Sequence, residues 1–183
     1  MAITRLGLNQ SINLASNITG TLPIANGGTG ATSFSPGKIL QVVQGTTSTE
    51  HTTTSTTPAD IGLTVDITPA SASNKVLVMA SFPVRFYKTS NYYANGMFNL
   101  KRGTTNIIAR SGSNVQDFGM EAGALGSSSY SVVTIKMHMQ ILDSPSTTSA
   151  TTYKVQSAAF ASTSVESMWN DQPGQIIVAE VSA

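Results

Sequence analysis

Apolar and polar residues alternate along much of this chain with the period of a strand. Leu63, Val65 and Ile67 alternate with Thr64, Asp66 and Thr68. Val76, Val78, Ala80, Phe82, Val84 and Phe86 line one face of a longer run, and Val133, Ile135, Met137, Met139 and Ile141 line another. Successive side chains of a strand point to opposite faces, so a period of two describes a strand with one side in a core. Shorter strand signals lie at residues 39–44, 97–101, 106–110 and 153–159. The last run, residues 175–181, is apolar on both faces at Ile176, Ile177 and Val178, which predicts a strand buried on both sides. Pro83 interrupts the long run, and because proline cannot donate to a ladder, an edge position or a bulge is expected there.

Between these runs lie turn signals. Residues 69–74 read as a turn, and Arg102-Gly103-Thr104-Thr105 as the tip of a hairpin. Residues 45–58 read as a Thr/Ser-rich loop or solvated edge, 88–95 as a polar loop bearing tyrosines, and 111–128 as a long Gly/Ser-rich connection. There is no clear amphipathic helix and no tandem repeat of solenoid length. About eight strands joined by uneven loops predict an all-β fold, a jelly-roll-like antiparallel β-sandwich.

Residues 1–36 differ from the rest. Ile12, Leu14 and Ile18 are too sparse to form a core within one chain, and Arg5 is nearly the only charge. Such a segment needs copies of itself or a partner to become ordered. Gly27, Gly28 and Gly30 permit sharp turns and close approach of backbones. The expected organisation is an extended attachment and shaft segment at 1–36 and a β-sandwich head at 37–183.

Composition narrows the function. Charged residues are only 10 % of the 183, and the net charge is +1. That leaves no electrostatic footprint for nucleic acid and none for an acidic membrane surface. No apolar run approaches the ~20 residues needed to span a bilayer. The first ten residues lack the continuous apolar stretch of a signal peptide, so assembly in a cytoplasm is expected. With no cysteine, disulfides and thiolate chemistry are excluded.

Two stretches carry a resemblance. Thr19-Gly-Thr-Leu-Pro-Ile-Ala-Asn-Gly-Gly-Thr-Gly-Ala-Thr32 resembles the Gly-rich tract that recurs in phage tail-fibre and related appendage proteins. The sequence from Gly37-Lys-Ile-Leu-Gln-Val-Val-Gln44 through Ile67-Thr-Pro69 and Ser73-Asn-Lys-Val-Leu-Val78, and again at residues 142–155, is similar to a β-rich domain of phages of aquatic bacteria, cyanophages among them. The resemblance implies a virion component, a homotrimer with a jelly-roll-like head, joined to other virion proteins through its N-terminal segment. It brings no catalytic residues, and it does not distinguish mounting on the tail from mounting on the capsid.

Candidate chemistry is sparse. The Gly-rich tract lacks the Gly-Lys-Ser/Thr ending of a phosphate loop and has no strand-loop-helix frame. His51 and His138 stand in no His-x-His or His-Glu-x-x-His pattern; surface or inter-subunit roles are expected, with His138 the better placed for an axial site. No Gly-x-Ser-x-Gly elbow occurs. Asp117, Glu121, Asp143, Glu166 and Asp171 fall mostly in loops and strand ends, where solvated charge is the ordinary state. No enzyme activity, metal or other cofactor is expected.

The stronger signal is aromatic. Tyr87, Tyr92 and Tyr93, with Asn95, surround one polar loop, and Trp169 lies in another. Aromatic faces cover sugar C–H groups while nearby amides and carboxylates bond hydroxyls, so these are candidate residues for binding a glycan or protein on a host surface. The same residue types are enriched at subunit interfaces. The competing expectation is therefore a purely structural virion component, a capsid decoration or tail joint, with no receptor role.

Overall fold

The six inward residues from Val76 to Phe86 form the interior face of the longest strand, as their spacing requires. The structure, a computed structural model, describes residues 39–89, 94–109, 131–160 and 163–183. They belong to the second of the two units into which the chain divides, Lys38–Ala183. The expected shaft with Gly27, Gly28 and Gly30, the tyrosines Tyr92 and Tyr93, and the connection at 111–128 lie outside the described residues.

The strands are β1 (Ile39–Thr47), β2 (His51–Thr53), β3 (Ala59–Ile67), β4 (Lys75–Lys88), β5 (Asn95–Arg102), β6 (Thr105–Ile108), β7 (Ser131–Asp143), β8 (Thr151–Phe160), β9 (Ser164–Ser167) and β10 (Gly174–Val181). All the pairings are antiparallel. One sheet runs β1-β10-β4-β7, with β9 and β2 continuing beside the C-terminal half of β4; the other runs β3-β8-β5-β6. With β2 and β9 set aside, successive strands alternate between the sheets except at the β5–β6 hairpin. That is the strand order of a jelly roll, two Greek keys wrapped into a sandwich.

The inner faces of the two sheets supply the core. Phe98 of β5 meets Phe82 and Phe86 of β4 edge to face, at centroid distances of 5.1 and 6.3 Å, and ties the sheets together at mid-height. Ile61, Leu63, Val65 and Ile67 of β3 and Tyr153 and Val155 of β8 fill the space around them. At Gly45 the β1 backbone comes so close to β3 that a Cβ would run into the Thr64 carbonyl oxygen, so only glycine fits. Two buried carboxylates brace the turns. Asp143 accepts from Arg102 Nη1 at 2.7 and 2.8 Å and from the Tyr153 hydroxyl at 2.7 Å. Glu180 accepts from Asn74 Nδ2 and Gln41 Nε2, each at 2.6 Å, and from the Ala70 backbone N–H at 2.7 Å, which fixes the expected turn between β3 and β4.

The stretch 45–58 combines both readings given for it, loop and solvated edge: β1 continues to Thr47 and His51–Thr53 forms β2, each at an edge of their sheet, with loop between and after them. Two other expectations need correction. Pro83 is at neither an edge nor a bulge. It lies inside β4, between the residues that pair with β10, ending at Ser81, and those that pair with β9, beginning at Val84. Its carbonyl points to that side and accepts from the Met168 N–H at 2.9 Å. The N–H that proline lacks would also point there, into the gap where neither ladder calls for a donor. Strand β10 is central, between β1 and β4, but it is not buried on both faces: Ile176 and Val178 enter the core while Ile177 faces outward and is half-buried.

Candidate functional site

Strand β4 sets the height of the domain. At one end Lys75 is level with Val181 of β10, which is level with Ile39, where β1 begins. At the other end Val84–Tyr87 lie beside β9, and β9 beside β2. At ~3.3 Å per residue the two ends are roughly 35 Å apart.

The outward face of this far end carries a cluster. Arg85 of β4, Glu166 of β9 and Thr52 of β2 are register partners in one row. Arg85 Nε donates to Glu166 Oε2 at 2.5 Å. Its guanidinium carbon lies 4.9 Å from the centre of the Trp169 ring and 5.6 Å from that of Tyr87, within reach of cation–π attraction. The hydrogen bond to Glu166 pushes the Arg85 pKa up; burial opposes this, and the charges of Glu166 and Glu50 add to it, so the guanidinium stays a cation. Glu50 closes the rim, accepting from the Asn170 backbone N–H at 3.0 Å and from the Thr52 hydroxyl at 3.3 Å.

Trp169 is presented by an unusual turn. The 3-10 segment Trp169–Asp171 follows Met168 at φ 52°, and Asn170 and Asp171 have φ of 59° and 54°. Asn and Asp tolerate the left-handed region, but methionine rarely enters it, and such residues cost about 1–3 kcal/mol each. Met168 is held there by its fully buried side chain and its bond to Pro83. Two consecutive ladders beside β4, β9 and β10, are joined by this turn, which leaves Trp169 half-buried and Asn170, Asp171 and Gln172 exposed.

Of the residues singled out from sequence, Tyr87 and Trp169 are therefore brought together, with Arg85 between them. Tyr92 and Tyr93 lie outside the described residues. Asn95 opens β5 and is buried; its N–H donates to Thr163 Oγ1 at 2.9 Å, and its Oδ1 has no partner among the described residues. His51 is half-buried on β2 opposite Ser167, whereas His138 is exposed on β7 opposite Ser81, so the two histidines are not neighbours in any pairing. His138 borders a shallow groove of about 330 Å³ with Lys136, Gln140 and Gln175. Asp143 and Glu166 are both committed to arginines, and Glu166 lies in a strand rather than the loop expected for it. Asp171 is exposed; Asp117 and Glu121 lie outside the described residues. Among the described residues no three His, Asp or Glu side chains gather as a metal-sized group.

Sequence reasoning missed Arg85 and Glu50. Arg85 occupies a polar position of an alternating strand, where a solvated charge is the default, and only the pairing with β9 reveals its partner. No protein-family model matches this chain, and no curated protein matches it.

Proposed function

We propose that the chain is a phage virion fibre protein acting as a homotrimer. Residues 1–36 join it to other virion proteins, and the jelly-roll head contacts a glycan on the host surface. The observation that supports this reading is the meeting of Tyr87 and Trp169 across Arg85, at the end of β4 remote from Ile39. Two aromatic segments far apart in sequence thereby become one surface, and Tyr87 leads within a few residues to Tyr92 and Tyr93. Ring faces cover sugar C–H groups, while the exposed Asn170, Asp171 and Gln172 offer partners for hydroxyls. A shallow sugar site is weak alone; several heads per particle raise binding by avidity. The protein is assembled in the host cytoplasm and acts in the virion, with no enzymatic step.

A purely structural virion role is the second reading. In its favour, Arg85 is already engaged by Glu166 and two rings, as in a closed structural cluster. Adsorption of phage carrying Trp169→Ala, or Tyr92→Ala with Tyr93→Ala, separates the two. Reduced adsorption with unchanged assembly mass supports receptor binding. Normal adsorption by both variants rejects it and leaves the structural role.

A further inference from the structure

The outer face of the β1-β10-β4-β7 sheet carries large apolar side chains where a solvent-facing strand would place polar ones. Ile39, Leu40, Val42, Met79 and Leu142 are 60, 44, 61, 36 and 49 % exposed. Register explains why they matter together: Val42 is opposite Ala179, Ala179 opposite Leu77, and Leu77 opposite Leu142. One apolar row thus crosses four strands from edge to edge, and Ile177 and Met79 extend it in the next row. Single exposed apolar residues are ordinary, but a contiguous row on a sheet face that already has its core on the other side marks a contact surface.

We propose that this row is where copies of the chain meet, the heads turning it toward a shared axis. The inference rests on the homotrimer of the proposed function and not on its glycan. The row lies a few residues from the level of Ile39, where the remaining 38 residues of the chain join the domain. Copies that meet here bring together the points at which the chain enters the domain, and in the preceding sequence Ile12, Leu14 and Ile18 are too sparse for a core within one chain. Charge agrees with a like partner. Outward positions on β1 and β10, Leu40, Val42, Gln44 and Thr46, then Gln175, Ile177, Ala179 and Val181, are uncharged, as is the row itself. The exposed Lys75 of β4, level with Val181, stands one row beyond Leu77 on this face, so copies that pack on the row keep Lys75 at its rim. The Arg85 cluster, at the other end of β4, stays uncovered.

Light scattering on the full chain tests this. The wild type should be an oligomer, and Val42→Lys with Leu142→Lys should give a folded monomer, with association on the order of a hundredfold weaker. Its circular dichroism and cooperative melt should match the wild type, because both side chains are exposed in one copy. The chain has no cysteine, so Val42→Cys gives a unique thiol; a bismaleimide should link copies through it but not through Thr105→Cys at the hairpin tip. If the lysine variant fails to fold, this cross-link decides. An oligomeric wild type whose lysine variant keeps the same mass, or whose Val42→Cys variant does not cross-link, overturns the assigned surface and leaves the trimer standing. A monomeric wild type overturns both. Binding of a monomeric wild type to phosphatidylcholine vesicles, abolished by the lysines, would reassign the row to lipid and overturn the proposal.

Discussion

The guanidinium carbon of Arg85 lies 4.9 Å from the centre of the Trp169 ring, while Nε of the same group is bonded to Glu166. Trp169 is the chain's one tryptophan, so its fluorescence reports on this cluster directly. Arg85→Ala should shift the emission and leave the buried Glu166 carboxylate without its cation, costing about 1–3 kcal/mol. A fluorescence spectrum and a denaturant melt of this variant check both. An unchanged spectrum would mean that Arg85 and Trp169 are not in contact in solution.

The proposed glycan site predicts that titrating the wild type with host-surface glycans changes the same emission. Binding should disappear in Trp169→Phe only if the indole supplies contacts that a smaller ring cannot reach, which isothermal calorimetry on the two proteins would measure.

Glu180 makes acid stability testable. Burial alone raises its pKa, but hydrogen bonds from Asn74, Gln41 and the Ala70 and Ser71 backbone more than offset this, so the carboxyl titrates below its ordinary value of 4.5. A depressed folded value favours the folded state fully above the unfolded pKa, and that contribution is lost as pH falls through the folded one. Glu180→Gln should therefore cost about 1–3 kcal/mol at neutral pH, and its deficit should shrink below pH 4.5. Thermal melts across an acid pH series would show the two curves converging.

Tyr153 gives the opposite sign at the alkaline end. Burial pushes its hydroxyl above the ordinary 10.0, and the bond to the Asp143 carboxylate adds to that. A raised folded value means full stability below pH 10.0 and a loss as pH rises beyond it, because the unfolded chain ionises first. Tyr153→Phe should cost about 1–2 kcal/mol at neutral pH through the lost hydrogen bond, and should remove this part of the alkaline loss. Melts between pH 8 and 11 would compare the slopes, within a range set by the tyrosine's ordinary titration.

Two glycines should respond differently. A Cβ at Gly96 would press on the Val165 side chain and lie 2.8 Å from the Ala158 carbonyl oxygen, so Gly96→Ala should cost about 1–3 kcal/mol or prevent folding. Gly103, at φ +55° with open space around it, should accept Asn with only a few tenths of a kcal/mol lost. Chemical denaturation of both variants provides the comparison.

How far the sequence could be read depended on whether a feature is local. Leu63, Val65 and Ile67 reveal β3 because one face of a strand is enough to show the period. The hairpin at Gly103 announces itself through a residue that must take a positive φ. Strands β2 and β9 have only three and four residues, too short for any period, and they contain Thr, Ser and Glu. Pro83 and Ile177 were misjudged for one shared reason: their surroundings are set by which strand lies alongside, and pairing between strands far apart in sequence leaves no local trace. At the candidate site Tyr87 and Trp169 could be named from residue type, but Arg85, which joins them, could not, since its partner is 81 residues away.

The register of β4 also fixes how the domain bears load. Ile39, where the rest of the chain attaches, and the Arg85 cluster lie at opposite ends of the same sheet. A pull between them runs along the strands, so the rungs of the β1–β10 and β10–β4 ladders are sheared together instead of being peeled one at a time. The continuous β4–β7 pairing, from Val76 to Lys88, carries that tension past the Pro83 gap where the opposite side of β4 changes neighbour. Any force applied between these two ends would load the sheet in its strongest direction.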